Sequence, residues 1–147
     1  MSVVIQRPIE IMLIEDNAGD VRLTQEAMKE NKVHNTLHVM RDGESALQAL
    51  SGGNGFGAHP DLILLDLNLP GMNGQEVLHK IKSNPETRSI PVVILTTSNA
   101  EEDVARSYSL HANCYVTKPV DLAQFLSVVR SVDSFWLSVV TLPHKDG

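Results

Sequence analysis

The chain has little that would mark a secreted, membrane-spanning or nucleic-acid-binding protein. Its single cysteine, Cys114, can form no intrachain disulfide and has no second thiol with which to grip zinc. It lies in the apolar stretch Cys114-Tyr115-Val116, which suits a buried, inert thiol. The six histidines (34, 38, 59, 79, 111 and 144) are scattered. The only spacing of four, His34 and His38, straddles a turn and an expected strand, so no zinc site is suggested and surface histidines are expected. Apolar runs such as Leu62-Ile63-Leu64-Leu65 and Val92-Val93-Ile94-Leu95 fall far short of the ~20 residues that cross a bilayer. The first eight residues lack the basic-then-apolar layout of a secretion signal. Lys and Arg never cluster, and the formal net charge is −6, which leaves no basic patch for a nucleic-acid backbone. There is no internal repeat and no linker. A single soluble, cytoplasmic domain over 1–147 is expected, with its core at about 9–139 and a loose tail, Pro143-His144-Lys145-Asp146-Gly147.

What is present is globular in composition, 42% apolar and 20% charged over 147 residues, enough to bury a core. Short continuous apolar runs alternate with segments whose apolar residues recur three and four apart, the patterns of buried parallel strands and amphipathic helices. Ile9-Glu10-Ile11-Met12-Leu13-Ile14 reads as the first strand. Asn17 and Asp20 open a helix to about Asn31, with Val21, Leu23, Ala27 and Met28 as its apolar face. Leu37-His38-Val39-Met40 is a second strand, and Asp42-Gly43 leads into a helix bearing Ala46, Leu47, Ala49 and Leu50. The glycine-rich stretch 51–57 reads as a mobile loop before the strongest strand, residues 62–65. A helix over 74–82 ends at Asn84-Pro85, and the fourth strand covers 92–95. Ser98-Asn99-Ala100-Glu101 fits a capping box for a fourth helix, residues 114–116 form the fifth strand, and Asp121 caps a long final helix. Five strands alternating with five helices give an α/β fold, a parallel sheet covered on both faces.

In such a sheet ligands bind beyond the carboxyl ends of the strands. The first strand is succeeded there by Glu15-Asp16, the third by Asp66, the fourth by Thr96-Thr97 and the fifth by Lys118-Pro119. Carboxylates, a hydroxyl and an ammonium are thereby brought to one rim. Crowded carboxylates raise one another's pKa and invite a cation, and magnesium prefers hard oxygens. Each element has a plainer reading. Asp66 alone could be a solvated strand end, Glu15-Asp16 a pair favoured by a helix N-terminus, and Lys118 a surface ammonium. Asp61 lies at the wrong end of the third strand and reads as structural.

The motifs Ile14-Glu15-Asp16, Leu64-Leu65-Asp66-Leu67-Asn68-Leu69-Pro70-Gly71, Pro91-Val92-Val93-Ile94-Leu95-Thr96-Thr97 and Tyr115-Val116-Thr117-Lys118-Pro119 occur in an order that resembles the response-regulator receivers of two-component systems. The resemblance runs from about Ile9 to the end of the last helix. It implies a doubly wound, flavodoxin-like sheet in the order 2-1-3-4-5 with five helices. It implies that Asp66 accepts a phosphoryl group from a histidine kinase, and that Mg2+ is held by Asp16, Asp66 and the backbone carbonyl of Asn68, with Glu15 in support. It further implies that Lys118 and the Thr96 hydroxyl contact the phosphoryl oxygens. Glu15 stands where many members have Asp, and Thr97 where a small residue is usual. Movement of Thr96 toward the phosphate would let Tyr115 swing inward, the resemblance's candidate switch.

Along the last helix, Leu122, Phe125, Leu126, Val129, Trp136 and Leu137 form one stripe, and Val128, Val132, Phe135 and Val139 widen it to roughly 200°. Surplus apolar surface points to a homodimer through this helix; cover by the chain's own tail is the alternative. The glycine loop and the ending Ser134-Phe135-Trp136-Leu137 resemble small stand-alone regulators served by cyanobacterial phytochrome kinases. The expected output is a contact with an unknown downstream protein or onward phosphotransfer, not a reaction on free substrates. An aspartate-nucleophile phosphatase would need a second acid two residues after Asp66, where Asn68 stands. A flavodoxin-like cofactor binder would meet repulsion from Glu15-Asp16. A receiver that binds partners without phosphorylation is the remaining rival.

Overall fold

The structure is a computed structural model that describes residues 9–30, 35–52, 59–96 and 114–118. Within them the elements run β1 (Ile9–Ile14), α1 (Ala18–Glu30), β2 (Asn35–Met40), α2 (Gly43–Leu50), β3 (Leu62–Asp66), α3 (Gly74–Ser83), β4 (Val92–Thr96) and β5 (Cys114–Thr117). The strands form one parallel sheet in the order β2-β1-β3-β4-β5. The expected fourth and fifth helices, the glycine-rich residues 53–57 and the last helix's wide apolar face lie outside the described residues.

Parallel pairing forces both sheet faces to be apolar, and period-two alternation sorts the strand residues between them. Ile11, Leu13, Leu62, Leu64, Val93, Leu95 and Val116 pack on one face with Val21, Ala27 and Met28 of α1. Met12, Ile14, Ile63, Leu65, Val92 and Ile94 face the other way, against Ala46, Ala49 and Leu50 of α2 and Val77, Leu78 and Ile81 of α3. Full burial of each large aliphatic is worth about 1.5–3 kcal/mol, so these two clusters carry most of the fold's stability.

The ends of elements are set by local chemistry. Asp42 caps α2, its Oδ1 accepting from Ser45 N at 2.7 Å. Asn73 and Glu76 form a reciprocal capping box at the start of α3. The turn into β4 is tied back to α3: Lys82 Nζ donates to the carbonyls of Arg88 and Ile90, and the Thr87 hydroxyl to that of Ile81. Burial pushes the Lys82 pKa down.

Several expectations need correction. Leu23 does not belong to the buried face of α1; it is 48% exposed, while Thr24 is 3% exposed. At about 100° per residue, Val21, Thr24, Ala27 and Met28 share a stripe and Leu23 falls outside its edge, next to Ala27. β2 begins at Asn35, two residues early, because Asn35 and Thr36 continue the ladder opposite Ile9 and Glu10. α3 runs one residue further than expected, to Ser83. His38, partly exposed, is paired: its Nε2 lies 2.6 Å from Glu10 Oε1. Asp61 has the structural role expected, its carboxylate accepting from Glu10 N at 2.8 Å.

Candidate functional site: an acidic cluster at the strand ends

The strand register brings the chemistry together. Ile14 lies opposite Leu65, so Glu15 and Asp66 come next at one level on adjacent strands. Glu15 N donates to Met40 O at 2.9 Å, carrying the β1–β2 ladder one residue past the strand. Thr96 lies opposite Thr117, which places Lys118 just beyond the same rim.

After Asp66 the chain must turn sharply to start α3. Asn68 N donates to Asp66 Oδ1 at 3.1 Å, Gly71 takes a left-handed φ of 68°, and Gly74 N returns to Leu67 O at 3.0 Å. A Cβ on Gly74 would come within 2.5 Å of Asp66 O and Leu67 Cα. Only glycine lets α3 begin so close beneath the aspartate.

Glu15, Asp16 and Asp66 each offer a carboxylate oxygen, and these oxygens lie within 4.8 Å of one another. Glu15 and Asp66 are buried, Asp16 exposed. Lys118 enters from the other side, its Nζ 2.8 Å from Asp20 Oδ2, 3.2 Å from Glu15 Oε1 and 3.5 Å from Asp66 Oδ2. Glu15 Oε2 also accepts from Asn17 N at 3.2 Å. Burial, the hydrogen bond with Asp66 and the charge on Asp66 together push the Glu15 pKa up to about 7, against the pull of Lys118 and the Asn17 amide. Burial alone would lower the Lys118 pKa, but the hydrogen bond to Asp20 and the charges of Asp66 and Glu15 win, and the net direction is up. The ammonium is therefore charged at neutral pH.

Three carboxylates opening toward solvent at Asp16, with the Glu15 pKa raised to about 7 chiefly by burial, suit a hard divalent cation. A soft thiolate metal has no ligand in this set. Beside them, Lys118 supplies a fixed positive charge next to a buried carboxylate whose Oδ2 faces it.

Of the residues singled out from sequence, the structure gathers Glu15, Asp16, Asp66 and Lys118. Asn68 sits beside Asp66 through its amide. For Thr96 and Tyr115 the described part is the backbone: Thr96 ends β4, and Tyr115 lies in β5 opposite Ile94. Sequence marks Asp20 only as part of a helix start, and its contact with Lys118 emerges from the three-dimensional arrangement. A signal for it exists, since the first turn of the helix after β1 has to stand over the same rim.

This rim on this sheet order defines a signalling receiver, and the comparisons agree. Residues 11–130 match the family model described as response regulator receiver domain, and the chain belongs to that family. Over 138 residues it is 47% identical to the response regulator Rcp1 of Synechocystis sp., covering 92% of this chain and 94% of that one. A structure described as the Mn(2+)-bound form of Rcp1 superposes with a TM-score of 0.70 over 92% of this chain and 99% of that chain. The bacteriophytochrome response regulator RtBRR gives a TM-score of 0.80 at 43% identity, over 88% and 81% of the two chains. The phosphorylated cyanobacterial phytochrome response regulator RcpA gives 0.71 at 46% identity, over 93% and 99%. The chain is thus related to the phytochrome response regulators of two-component signalling. Among the described residues no helix is long and apolar enough to cross a membrane.

Proposed function

We propose that this chain is a phosphorylation-switched receiver that takes a phosphoryl group on Asp66 from a histidine kinase, most naturally one of phytochrome type. The observation that carries this is the buried Asp66 carboxylate flanked by Glu15 and Asp16 within 4.8 Å and by Lys118 Nζ at 3.5 Å. The likeness to a phosphorylated phytochrome response regulator supports it.

In the transfer, an Asp66 oxygen attacks phosphorus, the P–N bond of the donor phosphohistidine breaks, and its electron pair returns to the imidazole, which takes up a proton. Asp16, Asp66 and the Asn68 carbonyl would hold Mg2+, with Glu15 in support; the Mn(2+)-bound Rcp1 structure favours a divalent ion here. When bound, such an ion offsets the charge gathering on the phosphoryl oxygens. Lys118 contributes a fixed positive charge to the same oxygens, and the Thr96 hydroxyl donates to the group once it is in place. Tyr115 then moves after Thr96 as the switch that carries the change to a partner surface.

The whole span 1–147 would be one cytoplasmic receiver domain, its doubly wound sheet completed by two further helices after β4 and β5. It is a signalling protein and not an enzyme acting on free substrates. Its output passes through protein contacts or onward phosphotransfer, with no role for nucleic acid or membrane. The wide apolar pattern around Phe135-Trp136-Leu137 makes that segment a homodimer interface. Removing residues after Ser134 should leave a chain that still accepts phosphate but runs as a monomer in sizing; a dimer would end this part of the reading.

The main test is incubation with Mg2+ and acetyl phosphate, then intact mass. One added phosphoryl group is expected on the native chain and none on Asp66→Asn. A native chain that takes none would mean a receiver that works by binding alone.

A further inference from the structure

Lys118 does not lie closest to the carboxylate it is expected to serve. Its shortest contact is to Asp20 on α1 at 2.8 Å, then Glu15 at 3.2 Å, with Asp66 at 3.5 Å. A good N–H···O bond spans about 2.7–3.2 Å, so the first two are hydrogen bonds and the third is only a charge contact. An ammonium has three N–H donors on a flexible four-carbon stem. Two donors are taken by Asp20 and Glu15.

We propose that Asp20 is a positioning residue: through a charge-assisted hydrogen bond it holds Lys118 beside Asp66 rather than on it, leaving one N–H directed at an incoming phosphoryl oxygen. This rests on the reading of Asp66 as phosphoacceptor. Were the lysine free to close on Asp66, it would occupy an oxygen of the accepting carboxylate. Anchored from α1, it is a charge already in place, and a preorganised charge costs nothing to reorient as the transition state forms. Lys118 neither gains nor loses a proton in the step, so fixing its position is all the anchor has to do.

Asp20 is placed for this task. It stands outside the trio of carboxylates whose oxygens converge. Its own helical turn does not depend on its side chain, because Asn17 Oδ1 accepts from Asp20 N at 2.9 Å and Asn17 O from Val21 N at 2.9 Å. Its carboxylate is 30% exposed, so the space left by its replacement is open to water.

The test compares the full chain with Asp20→Ala and Asp20→Asn, using acetyl phosphate and Mg2+. In that reaction the donor's P–O bond breaks and acetate leaves with the electron pair as the Asp66 O–P bond forms. Asp20→Ala should lower the rate at saturating donor roughly tenfold, since the reacting groups are held less well. The Mg2+ concentration for half-effect should move less than about threefold, because a partly exposed charge outside the metal's own ligands, already paired with Lys118, acts weakly. Asp20→Asn keeps an acceptor oxygen and should recover most of the lost rate. A second readout needs no phosphorylation: the Lys118 ammonium signal by NMR should be sharp and slow to exchange in the native chain and in Asp20→Asn, and lost in Asp20→Ala. An Asp20→Ala chain with native rate and native Lys118 signal overturns the proposal while leaving Asp66 as acceptor. Asp20→Asn behaving like Asp20→Ala overturns it too, in favour of simple charge. If the native chain takes no phosphate, the Asp66 reading fails, and an unchanged Lys118 signal in Asp20→Ala would separately end the anchoring idea.

Discussion

Glu15 and Asp66 bring carboxylate oxygens within 4.8 Å of each other across the β1–β3 boundary with almost no access to water, 1% and 2% exposed. Two buried carboxylates so close favour keeping a proton on one of them, and the single ammonium of Lys118 beside both offsets only part of that repulsion. In the metal-free chain Glu15 is the one that keeps it, with its pKa pushed up to about 7 from 4.5.

That displacement fixes the sign of a pH dependence. Between pH 4.5 and about 7 the folded chain holds the Glu15 proton and the unfolded chain has released it. The stabilisation is complete below pH 4.5 and is lost as pH rises through 7, at most about 3 kcal/mol for a shift of this size. Urea unfolding with chelator present should therefore give a midpoint that falls across this window. Glu15→Gln should flatten the fall, and millimolar Mg2+ should reverse it by stabilising the ionised cluster. A native chain whose chelated midpoint rises from pH 5 to 7, with no difference from Glu15→Gln, would contradict the assignment.

Gly74 offers a contest between two effects. Alanine is the better helix former by about 1 kcal/mol. Yet its Cβ would meet backbone atoms of Asp66 and Leu67 at 2.5 Å, and backbone cannot rotate away as a side chain can. Overpacking of this kind costs about 1–3 kcal/mol, so the clash should win. Gly74→Ala should unfold at lower urea and, by shifting the end of β3, also slow phosphorylation. The same change at Gly52, where nothing lies within 4 Å of the Cβ position but φ is 86°, should cost only the backbone strain.

Much of the fold and the rim is legible in the residues themselves. Leu62-Ile63-Leu64-Leu65, a short apolar run between turn signals, reads as a doubly buried strand, and the polar residues just past each such run point to the rim. Contacts set by rotation about a helix axis are harder to see. Leu23 looks as apolar as Val21, and only the phase of α1 tells that Thr24, with its small hydroxyl, takes the inner place. Asp20 hides for a similar reason: its first-turn position explains it fully as a helix-start carboxylate, and its reach to Lys118 depends on how α1 leans over β1. The two-residue lengthening of β2 comes from the neighbouring strand's pairing, which no local pattern in Asn35-Thr36 declares.

The phase of α1 can be checked directly. Leu23→Gln removes an exposed side chain and should change stability by no more than about 0.5 kcal/mol. Val21→Ala, beneath the sheet's α1 face, should cost roughly 1–3 kcal/mol through lost burial and a residual cavity. Thermal or urea unfolding of the two single variants suffices. Equal losses would mean that the helix is rotated from the position described.

Lys118 should show opposite effects on two measurements. Its ammonium is the cation serving Glu15 and Asp66 in the metal-free site, so Lys118→Met leaves buried carboxylates without it and should destabilise the chelated chain. The same positive charge repels a divalent ion bound a few ångströms away. Removing it should tighten Mg2+ binding by roughly tenfold, about 1.4 kcal/mol, a modest share of the Coulomb energy at that range. Phosphorylation by acetyl phosphate should nevertheless collapse, because the charge that meets the phosphoryl oxygens is gone. Calorimetric titration with Mg2+ and intact mass on one preparation would show both. Weaker metal binding together with lost phosphorylation would instead mean that Lys118 acts by holding the carboxylates in place, and its charge would not be what the transfer uses.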